Sequence, residues 1–155
     1  APVLVDVLSY LKNATDEEII EACKLAQADE FIQNFPEKYN HYIEQGGVNV
    51  SGGQKQRLSI ARAIVKKPEI LIFDDASSAL DLITEANLYK AMRKHINDTT
   101  KIVVAQRVAT AKNADKIIVL DGGSIVDFDT HENLLQNCAI YQDIYNSQLK
   151  REGDE

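Results

Sequence analysis

Three short stretches carry residue types whose spacing could do chemistry. In Val50-Ser51-Gly52-Gly53-Gln54 the pattern opens a helix, and a helix start presents amides without intrahelical acceptors and a partial positive charge that suit a phosphate. Two glycines let an anion approach the backbone without a side chain in the way, and Ser51 adds a hydroxyl donor. The same letters also describe an ordinary capped helix, since Ser51 and Gln54 stand at capping-box spacing. The second stretch is Ile70-Leu71-Ile72-Phe73-Asp74-Asp75, an apolar strand ending in two acids. Ligands of open α/β folds sit at that edge of a sheet. There Asp74 could hold Mg²⁺ and Asp75 could orient an attacking water, although a strand leading into an acidic turn reads the same way. The third is Ser78-Ala79-Leu80-Asp81, in which an Asp before a helix serves ordinarily as its cap.

These stretches need elements to position them. Thr15-Asp16-Glu17-Glu18 is a capping box, and Ile19, Ala22, Cys23 and Ala26 then share one helical face. A short helix around 29–34 ends before Pro36, and 37–50 reads as an irregular, polar connection with Gly46 and Gly47 paired. The helix opening at Ser51 runs to about Lys66. It is apolar almost all round, so deep burial is expected, and Pro68 marks its exit. Strands are expected at 69–73, 101–105, 116–120 and 124–128, with Asp121-Gly122-Gly123 as a hairpin turn. A helix over 83–96 places Leu88, Met92 and Ile96 at fourfold spacing, a short helical segment lies near 109–113, and helices from about His131 and Ile140 close the chain. Continuous apolar strands alternating with helices predict an α/β sheet covered on both faces.

Bulk properties bound the function. The chain has 155 residues, 45% of them hydrophobic, enough for one packed domain. No apolar run is long enough to span a bilayer and no signal-peptide pattern opens the sequence. A net charge of −7 disfavours a nucleic-acid binder. The basic cluster Lys55, Arg57, Arg62, Lys66 and Lys67 reads as a solvated helix face. Cys23 and Cys138 lack metal-ligand spacing and read as reduced thiols. His41, His95 and His131 read as surface or capping residues, and Tyr42, Tyr141 and Tyr145 as packing aromatics. The stretch 150–155 reads as a solvated tail.

Together, and in this order, the three stretches make the chain resemble the nucleotide-binding domain of ATP-binding-cassette (ABC) exporters: an S-G-G-Q signature helix, a Walker B strand, then S-A-L-D. Residues 15–36 look like the helical subdomain before the signature, 101–107 like the strand and switch loop, and 114–135 like the exporter C-terminal half; Ala1–Leu11 matches poorly. The resemblance implies a partial P-loop NTPase (RecA-like) core with a mostly parallel sheet. It implies a helical subdomain over 1–66 and the C-terminal part of the core over 67–155. The cofactors it implies are ATP and Mg²⁺. Ser51, Gly52, Gly53, Gln54 and Asp81 would contact nucleotide across a dimer, Asp74 the metal, and Asp75 and Gln106 the reaction. Partners would be a second nucleotide-binding domain and exporter transmembrane domains, which would hold the chain at the cytoplasmic face of the membrane.

Three departures qualify that picture. No G-x-x-x-x-G-K-[ST] loop occurs, so the cradle for β- and γ-phosphates is missing and the chain alone is expected to be inactive. The family places that loop upstream, so the chain is expected to be a fragment, a truncated reading frame or one piece of a split domain. Asp75 stands where hydrolysing members carry Glu, withdrawing the carboxylate by about one methylene, and misplacement of about 1 Å can cost roughly 10²-fold in rate. Gln106 stands where His is usual and cannot titrate near neutrality. With a signature intact except for Val50 in place of Leu, the pattern fits the degenerate half of a heterodimeric exporter. The alternative is a regulatory or remnant module that turns over no nucleotide. A soluble relative acting on DNA or the ribosome is disfavoured by the exporter-like 114–135 segment. An incomplete sheet should also leave an edge and apolar surface open, favouring self-association.

Overall fold

A computed structural model describes residues 4–9 and 14–152. The chain divides into two compact units, Ala1–Ile102 and Val103–Glu155, and each has its own logic.

The first unit holds α1 (Leu4–Ser9), α2 (Asp16–Leu25), α3 (Asp29–Gln33), α4 (Gly52–Val65), β1 (Ile70–Asp74), α5 (Leu82–His95) and the start of β2 (Thr100–Val104). α1 arises within the segment that had no clear counterpart. It buries Leu4 and Leu8 and packs on α4 and α2. α2 begins where the capping box put it: the Glu18 amide donates to Thr15 Oγ1 (3.3 Å) and the Thr15 amide to Glu18 Oε2 (3.1 Å). Its expected face is the buried one, with Ile19, Ala22, Cys23 and Ala26 all at most 3% exposed. Full burial of a side chain the size of Ile19 is worth about 1.5–3 kcal/mol, so a charge at that position would undo the α2–α4 packing. Burial pushes the Cys23 thiol up to about 12, which leaves it an inert packing group.

α4 buries Leu58, Ile60, Ala61, Ile64 and Val65, while its first turn reaches the surface. It ends because Lys67 takes a left-handed φ of 47° and its amide turns back to the Ile64 carbonyl (2.9 Å). Pro68 prevents continuation. The basic cluster is not uniformly solvated as expected. Lys55, Lys66 and Lys67 are exposed, but Arg57 is half-buried, donating to the Gln27 carbonyl (2.8 Å) with its guanidinium 4.7 Å from the Phe31 ring centroid. It has become an internal tie between α4 and the α2–α3 corner, and burial lowers its pKa.

β1 and β2 form a two-stranded sheet. The Thr100 amide donates to the Glu69 carbonyl (2.8 Å), so both strands start at the same end and run parallel, with α5 as the crossover between them. Leu71 and Phe73 are buried, whereas Ile70 is 58% and Ile72 63% exposed. The sheet is therefore not covered on both faces. Alternate β1 side chains meet the helices and the others meet solvent, so the open apolar surface anticipated for an incomplete sheet is present.

The second unit contains the end of β2, α6 (Val108–Ala111), β3 (Ile117–Asp121), β4 (Ser124–Asp129), α7 (His131–Asn137) and α8 (Ala139–Glu152). β3 and β4 are an antiparallel hairpin closed by Gly122 (φ 54°) and Gly123 (φ 79°), the left-handed pair that a type I′ turn requires. Val108, Ile117, Val119, Leu134, Cys138 and Tyr141 form its core. The expected tail at 150–155 is helical as far as Glu152, with the remainder outside the described residues. The α/β class read from the sequence holds, with one parallel pair and one antiparallel hairpin.

Candidate functional site: a helix start joined to an acidic loop

The capping box at Ser51 determines which amides of α4 are free. Ser51 has extended backbone angles (φ −70°, ψ 165°); its hydroxyl accepts from the Gln54 amide (3.3 Å) and its own amide donates to Gln54 Oε1 (2.8 Å). The first intrahelical bond is Lys55 N to the Ser51 carbonyl (2.9 Å). That leaves the Gly52 and Gly53 amides as the open donors of the first turn. The Ser51 hydroxyl proton is also uncommitted by its accepting role. Gln54 spends its side-chain oxygen on the cap, a structural role beside the binding role expected for it.

The two glycines differ. A Cβ at Gly53 would lie 3.0 Å from the Ala79 carbonyl oxygen, so the acidic loop would have to give way by a few tenths of an ångström to admit a side chain there. At Gly52 the nearest atom is Ala79 Cβ at 4.0 Å, an ordinary contact. The fold does not demand glycine at 52. A ligand approaching the helix start would.

β1 ends on Asp74 and the loop after it begins with Asp75; both are exposed, and neither carboxylate makes a hydrogen bond or ion pair within the described residues. Such uncommitted oxygens fit a hard divalent cation or a water. Asp75 has a left-handed φ of 50°, a conformation that Asp tolerates better than most side chains. The loop is pinned on two sides. Gln56, from the second turn of α4, donates through Nε2 to Ser78 Oγ (3.0 Å) and to the Asp75 carbonyl (3.4 Å), and its Oε1 accepts from the Ala79 amide (2.9 Å). From α5, the buried Glu85 accepts from Ser77 Oγ (2.8 Å), which also meets Tyr89 OH (3.3 Å). Tyr89 stands edge-on to Phe73 of β1, and burial raises its pKa.

Asp81 caps α5. Its Oδ1 accepts from the Thr84 amide (2.9 Å) and its Oδ2 from the Thr84 hydroxyl (2.6 Å), and these bonds hold its pKa below the usual range. Both oxygens already have a structural use. Gln106 lies in the second unit, exposed, after β2. Gln148 of α8 fixes the backbone there by donating to the Gln106 carbonyl (2.8 Å) and accepting from the Val108 amide (2.8 Å), leaving the Gln106 side chain outward.

Gln56, Ser77, Glu85, Tyr89 and Gln148 had no part in the sequence reading. Each acts through a partner 8 to 42 residues away, which no local pattern reports. The histidines stay outside the site. His41 pairs with Glu37 and stacks on Phe35, His131 contacts Tyr141, and His95 is exposed. Tyr141 and Tyr145 pack as expected, but Tyr42 is 47% exposed. Among the described residues no His, Cys, Asp and Glu group has the arrangement of a metal cluster. A cleft of about 380 Å³ between α2, α4 and α5, lined by residues such as Ala22, Leu25, Ile64 and His95, touches the motifs only at Leu71 and contains none of the candidate site residues.

An open helix start tied to an acidic strand end can be weighed against known proteins. The ABC transporter family profile matches residues 4–78, reaching into the N-terminal segment that had looked unrelated. An ABC transporter ATP-binding protein of Mycoplasma genitalium is 44% identical over 97% of this chain. The chain belongs to the ABC transporter ATP-binding family. A Bacillus subtilis protein named as a multidrug export ATP-binding/permease protein is 48% identical over 88% of the chain, which covers 23% of that protein. A bacterial Atm1-family ABC exporter with ATP bound superposes with a TM-score of 0.87 at 35% identity, over 94% of this chain and 26% of that one. This ABC chain thus spans about a quarter of the length of the relatives it matches. Among its described residues no helix is long and apolar enough to cross a membrane.

Proposed function

We propose that this chain forms the signature-bearing part of an exporter's ATP-binding domain and donates the start of α4 to an ATP held mainly by a partner domain. One observation carries the reading: two open amides at an exposed helix start, at 52 and 53, where packing crowds an added side chain only at 53. The Gly52 and Gly53 amides and the Ser51 hydroxyl are the donors for a terminal phosphate, strengthened by the helix dipole. Binding energy from clamping an anion between two surfaces favours the closed pair of domains and so drives transport in the attached membrane part. In this reading residues 1–66 are the helical subdomain and 67–155 the C-terminal part of the RecA-like core, at the cytoplasmic face of the membrane.

At the chain's own site, Asp74 is the residue to hold Mg²⁺, and Asp75 the one to orient water. Bound Mg²⁺ supplies neutralisation of phosphate charge. Asp81, as the cap of α5, sets the direction in which the loop meets the partner, and Gln106 offers a hydrogen bond toward the γ-phosphate without a titratable proton. Asp75 and Gln106 together make this site the slower one of a heterodimer. No nucleic-acid partner is expected at this acidic balance.

The test is single-site turnover in the full-length transporter containing this segment. Asp75→Glu with Gln106→His should raise turnover at this site by one to two orders of magnitude, the scale of about 1 Å of carboxylate placement. Unchanged turnover would favour a regulatory module without hydrolysis of its own.

A further inference from the structure

The Gln56 side chain is a fork with a fixed orientation. The Ala79 amide can only donate, so Oε1 must face it, and this turns Nε2 toward Ser78 Oγ and the Asp75 carbonyl. Ser78 Oγ in turn donates to the Asp75 carbonyl (3.1 Å). One side chain of α4 therefore holds the loop at its first residue and again at its fifth. The Ala79 carbonyl lies so close to the first turn of α4 that a methyl group at position 53 would push it back by a few tenths of an ångström. Motion of the helix start must move the loop, and the loop carries Asp75 in a left-handed conformation that leaves its backbone little freedom.

We propose that Gln56 is the positioning residue that couples the two nucleotide sites: engagement of a phosphate at the α4 start, which serves the partner's ATP, sets the placement of Asp75, which serves this chain's own. The inference rests on the function proposed above. The direction of coupling follows from connectivity, since α4 reaches the loop through Gln56 whereas α5 anchors it separately through Glu85 and Ser77.

The experiment uses the full-length transporter with its partner, comparing wild type with Gln56→Ala, Ser78→Ala and the double variant. Single-site turnover at this chain's own site is followed against ATP concentration, with the melting temperature measured alongside. The wild type should give a sigmoidal curve. Gln56→Ala should bring the Hill coefficient to about 1 and lower kcat about tenfold or more, with KM within about twofold and melting little changed. Ser78→Ala, which leaves α4 intact, should do the same, and the double variant should add nothing further. A hyperbolic wild-type curve, wild-type behaviour in both single variants, or kcat, KM and melting falling together would overturn the role of Gln56. Absence of any ATP-dependent turnover in the wild type would instead remove the functional reading beneath it. If Gln56→Ala fails to fold, Ser78→Ala decides alone.

Discussion

Glycine at 52 and glycine at 53 should respond oppositely to the same added methyl group. In both variants alanine replaces glycine in the first turn of α4, so the gain in helix propensity, at most about 1 kcal/mol, is nearly common to the two and cancels in their difference. What remains is contact. At 53 the new Cβ would sit 3.0 Å from the Ala79 carbonyl oxygen and 3.7 Å from Leu80 Cδ2, so the loop must retreat by several tenths of an ångström against its ties to Gln56 and Glu85. Overpacking of that kind costs about 1–3 kcal/mol. At 52 the nearest atom is 4.0 Å away and nothing need move. Gly53→Ala should therefore be less stable than Gly52→Ala by about 1–3 kcal/mol, a gap of roughly 2–12 °C in melting temperature for a chain of this size. Urea unfolding followed by circular dichroism, at low and matched concentrations because association shifts apparent stability, measures it. Equal stabilities, or Gly53→Ala the more stable, would refute the account of why position 53 is glycine. In the full transporter the order should invert: Gly52→Ala, stable as it is, should still lose ATP-driven turnover, because its methyl group occupies the open approach to the amides.

Other outcomes follow from the same contacts. Glu85→Ala should destabilise the first unit by about 1–3 kcal/mol, the cost of leaving buried polar partners unsatisfied, read by thermal unfolding. Asp129 accepts from the Lys116 ammonium, the Thr130 amide and Asn133, which hold its pKa at about 2. A depressed carboxylate contributes its stability above its ordinary value of 3.8 and loses it as pH falls through about 2. NMR titration should find that midpoint, and Lys116→Met should raise it. The chain by itself should self-associate through its open apolar surface. Ile72→Lys should weaken that association in sedimentation velocity, and a monomeric wild type at tens of micromolar would contradict the expectation.

The readable parts of the fold were those whose causes are local. The capping boxes at Thr15 and Ser51 and the Gly122-Gly123 turn each specify their geometry within four residues, and all three formed where the sequence placed them. Leu88 and Met92 were likewise legible, because helical spacing alone puts them on the buried face of α5. Burial set by distant elements was not legible. An apolar β1 looks alike whether one face or both are covered, and only packing reveals that Ile70 and Ile72 face solvent. Arg57 resembled its charged neighbours until Phe31 and the Gln27 carbonyl came to surround it. Of the candidate site, the Ser51–Gln54 and Asp74–Asp75 motifs stood out through their chemistry. The side chains that hold them together, Gln56 and Glu85, are common polar residues whose significance lies in partners far along the chain.

The claim on which the functional reading depends is that the amides opening α4 receive a phosphate presented by another domain. Selective ¹⁵N-glycine labelling of this chain, mixed with its partner nucleotide-binding domain, observes them directly. Adding ATP and Mg²⁺ should shift the Gly52 and Gly53 resonances, with Gly122 and Gly123 of the hairpin unmoved, and the shift should need both nucleotide and partner. Unmoved Gly52 and Gly53 signals in a complex that demonstrably forms with ATP would contradict the account.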